Sequence, residues 1–71
     1  MKYLAILETT DTGISAYVPD LPGVAITAAN EQQARTLLAQ AVALHIDGLR
    51  ADGHQPPQPN IQAVDIEAPA A

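Results

Sequence analysis

The chain has no cysteine among its 71 residues. That excludes a disulfide and any thiolate metal site, the two staples on which small domains most often rely. Strong cations are nearly missing as well: Lys2, Arg35 and Arg50 stand against eight Asp and Glu, for a formal charge of −5. Clustered Lys and Arg are what grip a phosphate backbone, so direct binding of DNA or RNA is not expected. An acidic chain suits a basic partner, since complementary fields speed encounter. Charge that only keeps the protein soluble is the plainer alternative. Long apolar runs are lacking too. MKYLAILE is too short to span a bilayer, meets Glu8 at once and has no small-residue cleavage site, so an unexported, cytoplasmic protein off the membrane is expected. His45 and His54 are a thin basis for a structural metal, and no metal or cofactor is expected.

One small domain is what remains. A chain this size buries only about 60% of its unfolded surface. Ordering costs about 1.5 kcal/mol per residue, which nearly cancels the gain from apolar burial. With a disulfide excluded and a structural metal not expected, association is the remaining route, and a homo-oligomer (dimer or tetramer) is expected.

The stretch from Asn30 to Asp52 is long enough for a helix of several turns, with no proline and one glycine. Asn30 is a good N-cap, Gln33 stands at N3 where it can reach back, and Gly53 supplies the left-handed stop. At about 100° per residue, Ala34, Leu37, Leu38, Ala41, Leu44, His45, Gly48 and Leu49 share one side, with Val42 at its edge. Such a stripe predicts a helix that owes its stability to packing.

Tyr3 to Leu7 is a continuous apolar run, as in a central strand. Asp11-Thr12-Gly13 has turn chemistry, and Ile14 to Val18 alternates, so a hairpin is expected. Pro19 and Pro22 remove two backbone donors and end the ladder, while Gly23 completes the turn. Val24 to Thr27 reads as a third strand. Beyond the helix, Gln55 to Pro59 is a proline-rich connector, and Ile61 to Ile66 alternates well enough for a fourth. The order β-β-β-α-β predicts an α+β fold: an antiparallel three-strand meander, one helix laid across a face, and a last strand parallel to the first. One domain over residues 1–67 is expected, with 68–71 a loose tail. One helix cannot cover both sheet faces, so the second face or an open edge is the expected contact between copies.

Tyr17-Val18-Pro19-Asp20-Leu21-Pro22-Gly23 resembles the HicB-like family of antitoxins. The likeness continues through Glu31, Ala34 and the helix leucines to Ala43-Leu44-His45-Ile46-Asp47-Gly48-Leu49-Arg50-Ala51-Asp52-Gly53, then Pro57 and Pro59. It implies a partial ribonuclease-H-like fold of the same element order. It also implies neutralisation of a small, basic, mRNA-cleaving (HicA-like) toxin within a type II toxin-antitoxin system, with oligomerisation. Many members add a DNA-binding segment after the last strand, and this chain is expected to lack one. Val24 stands where the family often has cysteine, and Ala28-Ala29-Asn30 replaces its usual glycine and hydroxyl residue.

The fold outline raises the question of catalysis. Two-metal nucleases need three or four carboxylates converging on ions about 4 Å apart. Glu8 ends a strand, Asp11 and Asp20 are in turns and Asp47 is on the outer helix face, so solvated surface groups and no enzyme are expected. A divalent-metal nuclease built on Glu8 and Asp20 is the enzymatic alternative. A solitary oligomeric scaffold without a toxin is the other. His45 has two readings, a buried imidazole bonded to a backbone carbonyl or a pH-sensitive partner contact. Tyr17, Pro19, Asp20, Leu21 and Pro22 likewise read either as strand end and core plug or as a rigid patch for capturing a partner.

Overall fold

Thr10 and Gly13 flank a two-residue turn, Asp11-Thr12, and that turn sets the register of the first hairpin. The Thr10 hydroxyl ties it down, accepting from the Thr12 amide (3.3 Å) and donating to the Gly13 carbonyl (3.2 Å). The computed structural model describes residues 1–70. In it β1 (Ile6–Thr10) pairs antiparallel with β2 (Gly13–Tyr17), and β2 with β3 (Ala25–Ala28), in the order β1-β2-β3. Helix α1 (Glu31–Ala51) follows directly. The α+β class and the antiparallel meander are as the sequence predicts.

The first strand lies three residues later than the apolar run suggested. Ile6 pairs with Tyr17, and beyond Tyr17 the partner chain turns away at Pro19, so Tyr3 to Ala5 have nothing to ladder with on that side. These residues are still half-buried.

The helix ends are fixed by their side chains. The Gln33 amide donates to Asn30 Oδ1 (2.9 Å), while Gln33 Oε1 accepts from the Ala29 amide (2.6 Å). The reciprocal cap therefore closes one residue earlier than the usual box. At the other end Gly53, with φ at 78°, donates to Arg50, and His54 donates to Leu49. These are the two bonds of a Schellman stop.

Helix α1 lies over β3 and β2 rather than over β1. Its sheet-facing row is Ala34, Leu38, Val42 and Ile46, four residues apart, with Ala41 alongside. This corrects the expected stripe: Val42 and Ile46 pack inward, whereas Leu44 is 74% exposed and Gly48 is exposed. The apolar arc is wider than the sheet covers, and the row that meets it is the one spaced by four residues. The buried core is Ala16, Val18, Leu21, Val24, Ala34 and Leu38.

Among the described residues no fourth strand forms. From His54 to Ala70 there is neither a regular element nor a turn or bend, and Ile61 to Ala70 are exposed. The domain expected to run to residue 67 thus has its last regular element end at Ala51; Ala71, in the expected loose tail, lies outside the described residues. Among the described residues no helix is long and apolar enough to cross a membrane.

Candidate functional site

The loop after β2 is built by two turns in series. Leu21 donates to the Val18 carbonyl (3.0 Å) and Val24 to the Leu21 carbonyl (3.1 Å), with Pro19 and Pro22 each second in their turn. Proline suits that position because its φ is already near −65°. Gly23 stands third in the second turn with φ at 90°, as a type II turn requires. Val18 then donates to Val24 (3.1 Å), closing the loop at its base. The sequence Pro-Asp-Leu-Pro-Gly is therefore a rigid corner.

The corner divides its residues between core and surface. Leu21 is fully buried and is the largest side chain so enclosed, so it is the core plug and offers a partner nothing. Pro22 is exposed, Pro19 is half-buried, and Tyr17 is 37% exposed. Tyr17 shares the helix-free face of the sheet with Ile6 and Ala25, its partners in register. By alternation Glu8 belongs to that face as well.

Asp20 has a role that local sequence gave no reason to expect. Its Oδ2 accepts from the amides of Asn60 (3.0 Å) and Ile61 (3.1 Å), pinning the chain that follows the helix to the corner. Tyr3 adds a second tie, its hydroxyl donating to the Pro57 carbonyl (2.6 Å). All three bonds join residues at least 40 apart, and spacing along a sequence carries no signal of such a contact. Asp20→Ala should release this root: amide exchange at Asn60 and Ile61 rises sharply in a hydrogen-exchange measurement, while the strand amides keep their protection.

His45 is half-buried rather than buried, so its ring keeps access to water beside the packed row of α1. Glu8, Asp11 and Asp47 are exposed, and among the described residues no three His, Asp or Glu gather as a metal ion would need. Of the three strong cations Arg35 is already engaged, with Nε 3.1 Å from Glu31. A shallow cleft of about 380 Å3 near the first hairpin is lined mainly by Thr10, Thr12, Ser15, Thr27 and Gln33, with no charged group among its walls. Comparison with models of known protein families, with curated proteins and with solved structures finds no match to this chain.

Proposed function

We propose that this chain is a HicB-like, non-catalytic binding module that neutralises a small basic toxin acting on mRNA, covering it by surface contact. The observation that carries this reading is the helix-free sheet face, where Ile6, Tyr17 and Ala25 lie beside the rigid Pro19–Pro22 corner with Glu8 at the margin. An anchoring tyrosine on a preorganised apolar patch is a common energetic centre of protein interfaces. The net charge of −5 favours a basic occupant and disfavours nucleic acid. Scattered carboxylates support binding rather than turnover. In this reading the chain works as a homo-oligomer in the cytoplasm, and a strand parallel to β1 completes a partial ribonuclease-H-like sheet.

Co-purification from the native host should bring down a stoichiometric basic polypeptide. Tyr17→Ala should weaken that complex by on the order of 10- to 100-fold in a calorimetric titration and leave the melting curve in place. Equal binding by the variant would remove this face from the interface. Failure of any basic polypeptide to appear would remove the antitoxin role. A second reading, a solitary self-associating scaffold of the same family, is favoured by the exposed Ile61–Ile66 segment and would then stand alone.

A further inference from the structure

The segment Ile61 to Ile66 has the composition of a strand and no place in the fold. Val64 and Ile66 share one face of an extended chain, with Asp65 and Glu67 on the other. Yet Val64 is 68% and Ile66 83% exposed. A compact chain of 7.4 kDa exposes about 4,200 Å2, against the 5562 Å2 of this one. The excess is larger than the roughly 800 Å2 that each partner covers in a standard interface. The radius of gyration is 14.4 Å, where about 11 Å is usual for this length.

The opposite deficit lies along β1. Val18 directs its amide to β3, so Tyr17, one residue earlier, presents its backbone groups to Ile6. Along the first strand Ile6, Glu8 and Thr10 therefore face β2, and the amides and carbonyls of Ala5, Leu7 and Thr9 are left on the outer edge. That edge has no proline and no bulge to blunt it. A cleft of about 370 Å3 opens beside it, lined by Tyr3, Leu4, Ala5, Leu7, Arg35 and Leu38. Arg35 in that lining and Lys2 just before it are cations, whereas the segment Ile61 to Glu67 carries Asp65 and Glu67.

We propose that two copies of this chain exchange tails, residues 61–66 of each adding as a fourth strand to the free β1 edge of the other. Asp20 and Tyr3 fix the root of the tail beside the start of β1. A two-fold axis at that end sets each tail at the mouth of the other copy's edge. Val64 and Ile66 then fill the cleft over Ala5 and Leu7, and the tail's carboxylates, on its other face, lie on the side away from Arg35, where Lys2 is the nearest cation along the chain. The inference rests on the self-association proposed above and names its surface and its segment. It needs no toxin.

The test compares the full chain with a chain ended after Asn60 and with the double variant Val64→Asp/Ile66→Asp, whose altered positions are exposed in the single chain. Sedimentation at micromolar concentration should give a dimer for the full chain and monomers for both variants. Amide exchange at Ala5 and Leu7 should be slowed on the order of 100-fold in the dimer and return to the exposed rate on dilution. A full chain that is monomeric throughout would overturn both the exchange and self-association. A dimer that survives truncation would overturn the exchange alone and leave self-association through another surface. Protection at Ala5 and Leu7 that dilution does not remove would place the tail on its own β1 and likewise overturn it.

Discussion

Gly13→Ala should lower the melting temperature by roughly 15 °C or more, which for a chain this short corresponds to about 3 kcal/mol. Two causes add at this position. Its φ is 149°, a region that residues with a side chain rarely enter, and a Cβ there would run into the backbone carbonyl of Ala28. The obstacle is main chain at the end of β3, just before the helix cap, so it cannot swing aside as a side chain would. Relief requires moving β3 away from β2 at the pair Ile14–Ala28. Total stability for such a domain is only about 4–10 kcal/mol, so a large part of the margin goes. Gly48→Ala is the control: a Cβ there meets nothing, and a helix-interior alanine should raise stability by about 0.5–1 kcal/mol. Thermal melts followed by circular dichroism decide both, and equal melting of Gly13→Ala and the parent would refute the account of that turn.

Leu21→Ala should cost about 2–5 kcal/mol, the range for emptying a buried leucine site. Leu21 has 0% exposure, and the turns on either side hold its backbone by hydrogen bonds to Val18 and Val24. A corner so braced cannot collapse into the void, which points to the upper half of that range. Leu21→Met, with nearly conserved volume, should cost less than about 1.5 kcal/mol. Denaturant unfolding with the slope unchanged is the measurement. A loss below about 1 kcal/mol for the alanine variant would mean that Leu21 is not the plug it appears in the packed core.

The sequence announced most of what local chemistry controls. Asn30, Gln33 and Gly53 gave the helix limits because caps act within four residues of themselves. Pro19 and Pro22 gave the corner because each fixes its own φ, and Gly23 because it can enter the positive φ that the second turn needs. What sequence pattern could not resolve was which part of a wide apolar arc meets the sheet. Leu44 and Val42 are equally apolar, and only the crossing of α1 over β2 and β3 separates them. The first strand was misplaced for a similar reason: Tyr3 to Leu7 is the greasiest run, but ladder bonds depend on where the partner strand ends. Of the candidate contact residues, whose two readings the sequence left open, Tyr17 and Pro22 lie at the surface. Leu21 proved to be core, and Asp20 holds a distant segment that no local rule connects to it.

The order of pairing in the meander has a consequence for synthesis. Each strand's partner is the next to leave the ribosome: β1 with β2, β2 with β3, and then α1 laid back over β3 and β2. Contacts so close along the chain close quickly, because little loop entropy is lost before each is made. The knots that span the molecule, Tyr3 to Pro57 and Asp20 to Asn60 and Ile61, have to wait until residues 57–61 have been made. A nascent chain therefore has its hairpins' residues in hand before residues 57–61 emerge, and those residues reach strands already able to pair.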